Sequence, residues 1–358
     1  MLYSTIIGID AHARKNTVTA IMPQTGEARQ IELAAEPDLL VKWINDQELP
    51  TPIMAVYESG PTGFPLARAL MAAGVACSVA ATSKLPSRKD RKKNDKVDSE
   101  WLARQYLGGS VRAVRIPTSE EESLRGLSRL RSQAVRDLVR AKKRASSFLL
   151  LRDIRRPGKT RRWSARFKEW IERLEFSEPL DRYVLDEMVA EVYHIEERVA
   201  AINAKIDEVI ESSPWLREQI NRFQCIHGIG KIISMTLVCE IMDFNRFKNG
   251  AAFASFVGLV PSEHSSGEKN AKGDITKTGN VYVRTALVEA ANCYLRPFKK
   301  FSPNIPTVDP LVRAHATKCT TRLKKRALTL KARKKQANKI KVAIAREMAE
   351  WVYHLAIM

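Results

Sequence analysis

Tyr3-Ser4-Thr5-Ile6-Ile7-Gly8-Ile9-Asp10 decides how the first third of the chain is read. The run is apolar and β-branched and closes on a carboxylate, which predicts a buried strand over residues 3–9 ended by Asp10. Two more strand patterns follow, Thr17 to Met22 and Ala28 to Leu33, around a turn at Gln24-Thr25-Gly26. Leu39, Leu40, Trp43 and Ile44 share one face of a helix over Pro37 to Gln47. Pro52 to Tyr57 then reads as a short strand ended by Glu58, Gly63 to Ala73 as a helix, and Val75 to Ala80 as a further strand.

A three-strand meander followed by helix, strand, helix and strand is the layout of the ribonuclease-H-like α/β fold. Function in open α/β sheets gathers at the carboxyl ends of strands, where Asp10 and Glu58 fall. Further on, Lys93-Asn94-Asp95-Lys96-Val97-Asp98-Ser99-Glu100-Trp101-Leu102-Ala103-Arg104 opens an amphipathic helix with two aspartates three residues apart. That spacing is nearly one helical turn, so Asp95 and Asp98 project from the same face. Taken alone, the pair suits an acidic first turn that favours the helix dipole. Asp10 and Glu58 supply partners: four carboxylates from three elements can converge on one or two Mg²⁺ ions and activate phosphodiester attack. The basic loop from Lys84 to Lys96, with Lys92 and Lys93, reads either as a solvated surface run or, beside an acidic site, as a contact to a nucleic-acid backbone.

The chain has 358 residues, enough for two or three domains, and 44% hydrophobic content argues for a globular protein. Its formal charge of +20 points to a polyanion, most simply nucleic acid. The excess is concentrated: residues 111–175 carry 19 basic against 8 acidic side chains, and residues 301–358 carry 13 against 3. Residues 1–110 and 176–300 are near neutral, so the charge sits in arms beside folded cores. Five scattered cysteines without zinc spacing suit a reduced cytosolic protein. No signal peptide and no membrane-spanning run is legible, which makes the cytoplasm the expected location.

Ser119 to Leu151 reads as a long helix capped by Ser119, with Glu120, Glu121 and Glu122 in its first turn. A second helix from about Asp186 to Glu211 carries a heptad seam of Val192, Ile195, Val199, Ile202, Ile206 and Val209. The two suggest an antiparallel coiled coil with a basic tip, including Arg155, Arg156, Arg161 and Arg162, that serves dimerisation, nucleic-acid binding or both. Cys225-Ile226-His227-Gly228-Ile229-Gly230-Lys231 has the form of a helix-hairpin-helix turn. There Gly228, Gly230 and Lys231 would meet a phosphate, although such a turn also serves as a plain connector. Ser262-Glu263-His264-Ser265-Ser266-Gly267 is composed like a flexible polar loop. It offers a serine nucleophile, which spacing alone does not assign among Ser262, Ser265 and Ser266, and His264 as a proton acceptor. Lys277 and Arg284 follow as further nucleic-acid contacts. The tail, Thr317 to Arg346, predicts a basic helix that then turns apolar.

Four blocks together resemble the IS110-type DEDD transposases of bacterial insertion sequences, relatives of the Piv DNA invertases. They are Ile7-Gly8-Ile9-Asp10, Tyr57-Glu58-Ser59-Gly60-Pro61-Thr62-Gly63, Asn94-Asp95-Lys96-Val97-Asp98, and the run from Gly258 through Arg284. The resemblance implies a RuvC-like DEDD domain over residues 1–112, a basic coiled-coil region over 113–215, and a mostly helical C-terminal transposase domain over 216–358. It further implies a Mg²⁺-binding tetrad of Asp10, Glu58, Asp95 and Asp98, and Ser266 as the nucleophile that forms a phosphoserine link to DNA. Because Ser265 and Ser266 are doubled, that assignment stands within one residue. A structured bridge RNA is implied as guide to donor and target DNA, and a dimer or tetramer in which tetrad and serine come from different protomers. Ser99 stands where the family usually has Ala, and Ser59 where it has Ala or Thr. Rival readings are a RuvC-like Holliday-junction resolvase using metal-activated water, and a non-catalytic nucleic-acid scaffold.

Overall fold

The computed structural model describes residues 2–86, 95–158, 160–266, 269–298, 301, 305 and 308–358; side chains of Lys96 and of residues 263–272 lie outside the description. The chain folds as two compact units, Met1–Ser119 and Glu120–Met358.

The first unit is built on a six-stranded sheet of order β3-β2-β1-β4-β5-β6. Its elements are β1 (Thr5–Ala11), β2 (Lys15–Ile21), β3 (Ala28–Ala34), α1 (Pro37–Asp46), β4 (Ile53–Glu58), α2 (Pro65–Ala72), β5 (Ala76–Ala80), α3 (Asp95–Leu107) and β6 (Ala113–Val114). β1, β2 and β3 form an antiparallel meander, and β4 and β5 run parallel to β1. This is the ribonuclease-H-like order expected from sequence. β1 and β2 are covered on both faces, so nearly every residue is apolar or small. The edge strand β3 alternates exposed and half-buried residues, as a strand wet on one side does.

β1 extends past the predicted end. Asp10 pairs with Thr17 and Ala11 with Asn16, which leaves Asp10 inside the strand. α3 crosses the sheet at Gly8, where a Cβ would lie 1.9 Å from the Ser99 carbonyl oxygen. Only glycine admits that approach. Ser99 is fully buried, and its hydroxyl hydrogen-bonds Thr19 at 2.7 Å, while the Gln30 amide donates to the same Thr19 oxygen at 2.8 Å. A buried hydroxyl with a matched partner accounts for the serine at this position.

The second unit begins with α4 (Ser119–Leu151), α5 (Ala165–Glu172) and α6 (Pro179–Ser212). α6 starts about two turns before the predicted Asp186, because Pro179 suits a helix's first turn. The pairs Arg131–Asn203, Lys142–Glu196, Arg144–Glu191 and Arg152–Asp181 step in opposite directions along α4 and α6, so the two helices lie antiparallel. At their far end, Phe148, Phe167, Ile171 and Leu185 form a separate small core.

α7 (Pro214–Gln224), α8 (Lys231–Ile241), α9 (Gly250–Phe256), β7 (Pro261–Ser266), β8 (Lys269–Ile275), α10 (Val281–Asn292), α11 (Pro310–Ala332) and α12 (Ala337–Ala356) complete the unit. The 262–266 stretch, expected as a loop, is one strand of a two-stranded hairpin. A two-stranded ribbon closes its backbone hydrogen bonds without needing an apolar face, so its polar composition concealed it. The basic tail is two helices broken at Arg333–Gln336, with Lys334 at φ 52°. Glu240 in α8 ties the unit together. Its carboxylate receives Arg129 of α4 at 2.6 and 2.8 Å and the Asn280 amide at the start of α10 at 2.7 Å.

Candidate active site

Asp10 and Glu58 come together because their strands are parallel neighbours. Ile9 is in register with Tyr57, so the next residue on each strand sits side by side on one face of the sheet. Glu58 is exposed by area, yet protein atoms crowd its carboxyl. Lost hydration pushes its pKa up, the charge of Asp10 pushes it further, and a hydrogen bond with Thr82 opposes both.

The β1–β2 hairpin adds two groups. His12 lies two residues beyond Asp10, and the period of two points both side chains the same way. Its Nε2 is 3.1 Å from Asp10 Oδ2, and its backbone N–H donates to the Lys15 carbonyl at 3.0 Å, which closes the turn. Lys15 Nζ lies 3.0 Å from Asp95 Oδ2 and 3.0 Å from Glu32 Oε2. The hydrogen bond to Asp95, then that to Glu32, raises the lysine's pKa, and the same lysine holds the Asp95 carboxyl below its usual range.

One ligand atom each from Asp10, His12 and Asp95 lies within 4.8 Å of the others. Two carboxylate oxygens and an imidazole nitrogen at that spread fit a single divalent cation. Of the four acids expected from sequence, Asp10 and Asp95 are gathered here, and Glu58 is close enough to feel Asp10's charge. Asp98, half-buried on the next turn of α3, stands outside the trio. His12 and Lys15 were missed. The signal for His12 was available in Asp-x-His running off the end of a strand. Lys15 had none, because its role depends on where α3 lands.

Ser265 and Ser266 lie on β7, paired through the backbone with Asn270 and Lys269; their side chains, and Lys92 and Lys93 altogether, are outside the described residues. Ser262, the third candidate, donates its hydroxyl to the Asp274 carbonyl at 3.0 Å and braces the hairpin. Gly228 has φ +90° and a Cβ there would sit 2.4 Å from the Ala290 carbonyl oxygen, so close packing on α10 requires this glycine. Gly230, at the N-terminus of α8, faces open space, and Lys231 pairs with Asp207. Arg284 donates to the carbonyls of Val257 and Thr278, both at 2.9 Å, and so braces the turn at Gly258. Arg155 pairs with Asp153 and Arg156 donates to the Thr160 carbonyl. Arg161, Arg162 and Lys277 are exposed. Among the described residues, no helix is long and apolar enough to cross a membrane.

A ribonuclease-H-like sheet that brings carboxylates together at one end is the arrangement of enzymes acting on nucleic-acid phosphodiesters, and comparison with known proteins narrows the class. Residues 7–152 match the transposase model of the IS110 DEDD type, and residues 220–302 match the model described as "Transposase IS116/IS110/IS902 family". A Sinorhizobium fredii protein named "Putative transposase y4qE" is 33% identical over 306 residues, covering 84% of this chain and 74% of that one. The transposase for insertion sequence element IS1533 of Leptospira borgpetersenii is 28% identical over 92% of this chain and 97% of its own. The transposase for IS1111A of Coxiella burnetii is 26% identical over 65% and 63%. The chain belongs to the IS110 family of insertion-sequence transposases.

Proposed function

We propose that this transposase is an RNA-guided, Mg²⁺-dependent recombinase that cleaves and rejoins DNA strands through a serine nucleophile. The observation that carries the reading is the meeting of Asp10 and Asp95 from separate elements beside Glu58 at one end of the sheet. Asp10, Glu58, Asp95 and Asp98 would hold Mg²⁺, and the donor set fits it because hard carboxylate oxygens predominate. When bound, the ion supplies positive charge to a phosphodiester under attack. Glu58 and Asp10 are mutually repelled, and Lys15 keeps Asp95 ionised, so the acids are prepared for a cation rather than for each other. Ser266 attacks phosphorus with its hydroxyl oxygen, giving up its proton as one deoxyribose oxygen leaves and is protonated; the strand stays on the serine as a phosphodiester until a deoxyribose hydroxyl attacks phosphorus and the serine oxygen leaves. Its neighbour Ser265 is the alternative, and Ser262 is engaged in bracing its own hairpin.

The basic segments at residues 111–175 and 301–358 give a bridge RNA and two DNA duplexes enough positive surface. The exposed Arg161, Arg162 and Lys277 are the first contacts to examine. The protein works as a homo-oligomer in the cytoplasm, on the chromosome, with acids and serine supplied to one reaction by different copies.

The test is to trap covalent protein–DNA adducts with the co-purifying RNA present. Adducts should disappear in Ser266→Ala and persist in Ser265→Ala. Mixing Ser266→Ala with Asp10→Asn protein should restore part of the activity. Undiminished adducts in Ser266→Ala would remove the serine from the mechanism, and cleavage without any adduct would favour the resolvase reading.

A further inference from the structure

His12 is the one member of the strand-end trio that the four-acid pattern does not contain, and its placement is specific. Its backbone is pinned by the hydrogen bond to Lys15 that closes the β1–β2 hairpin. Its ring nitrogen Nε2 is aimed at Asp10, at 3.1 Å, although the side chain has half its surface free to point into solvent. In an octahedral shell with ligands near 2.1 Å, adjacent donors are about 3.0 Å apart and opposite donors about 4.2 Å. The His12–Asp10 contact is a hydrogen bond in which the ring N–H donates to the carboxylate, so a cation would take the place of that proton and release it to solvent; the 3.1 Å separation is also that of adjacent donors, and the spread of the trio is close to what one shell spans. Lys15 does not block this arrangement, since Glu32 gives its ammonium a second seat at 3.0 Å when Asp95 turns to a metal.

We propose that His12 Nε2 is a direct metal ligand beside Asp10 and Asp95, so that this transposase binds Mn²⁺ in preference to Mg²⁺. An imidazole nitrogen is a softer donor than carboxylate oxygen or water. It adds more to the affinity of a first-row transition ion than to that of Mg²⁺, which keeps oxygen ligands and its own water. The inference rests on the reading of the acidic cluster as a divalent-cation site, and it adds a ligand that the acids alone do not predict.

The experiment uses full-length protein with Mn²⁺ as the only added metal. Pulsed EPR then reads nitrogen coupling to the bound ion, and equilibrium titration gives Mn²⁺ and Mg²⁺ affinities. Wild-type protein should show ¹⁴N modulation from a coordinated imidazole. His12→Gln should lose that signal and bind Mn²⁺ roughly tenfold or more weakly, comparable to the cost of disturbing a ligand's supporting partners. Its Mg²⁺ affinity should change much less. Persistence of the ¹⁴N signal in His12→Gln, or an equal loss for both ions, overturns the proposal while leaving the acidic site standing. Asp10→Asn separates the two ideas, because Mn²⁺ binding that survives that change would overturn the acidic site as well. The exposed side chain and a second variant, His12→Asn, guard against a folding artefact.

Discussion

Glu240 and Asp10 are both carboxylates beside a cationic or ionisable partner, and their surroundings differ in almost every other respect. Glu240 has 1% of its side chain exposed, and both oxygens are taken by Arg129 and Asn280. Its charge is consumed in joining α4, α8 and α10, and it holds the Arg129 guanidinium above its usual range. Asp10 is 24% exposed and Asp95 41%, and their nearest partners are an exposed imidazole and an exposed ammonium shared with Glu32. Such contacts exchange easily in water. A closed, fully matched acid is architecture, whereas an open group of acids that repel one another is a place for a cation to enter.

The contrast can be broken from either side. Glu240→Ala should have the largest effect on stability, about 3–5 kcal/mol, because it strands Arg129 in a half-buried site. Denaturant unfolding of the second unit reads this directly, and a loss below about 1 kcal/mol would show that the pair is dispensable. Asp10→Asn should do the opposite. Stability should change by no more than about 0.5 kcal/mol, while DNA cleavage falls about 10²–10³-fold, the cost of losing one preorganised electrostatic partner. Equal damage to fold and activity would remove the distinction.

Glu58 sharpens the comparison through pH. Its folded pKa is raised, so the stability it lends is present below its unfolded pKa and is lost as pH rises through the folded value. In chelator, Glu58→Gln should therefore raise the melting temperature of the first unit at neutral pH and have no effect in acid. A divalent ion must displace the same proton. Wild-type metal affinity should then begin to fall at a pH above the ordinary carboxylate range, and this early onset should vanish in Glu58→Gln. The smallest effect concerns the clamp under the site. Ser99→Ala should cost about 1 kcal/mol for one buried hydrogen bond. Replacing Thr19 with Val in the same protein should add little, provided Gln30 finds water; a full second loss would mean the two hydroxyls act independently.

The frame that carries this site is legible in the sequence. The apolar, β-branched runs, the acids that follow them and the Asp95–Asp98 spacing follow from local rules, because burial on both faces of a sheet asks for continuous apolar sequence and the pitch of a helix sets its own period. The hairpin at β7–β8 and the break in the basic tail were harder. Neither depends on an apolar pattern, and polar strands and helix breaks at Lys334 leave little trace in composition. Gly228 and Arg284 read as phosphate contacts because the chain does not reveal that α10 lies against the first, or that the second braces the carbonyls of Val257 and Thr278.

The chain by itself determined the meander, the strands that follow it, and the placement of Glu58 at the end of one strand and Asp10 close to the end of another, since each follows from side chains within a few residues of one another. Which of four acids meet was decided by tertiary structure alone. The landing point of α3 on Gly8 brings Asp95 to Asp10 and leaves Asp98 outside the trio, and the hairpin turn delivers His12 and Lys15. Asp95 meets Asp10 and Lys15 across about eighty positions of chain, and no local rule fixes the distance between them.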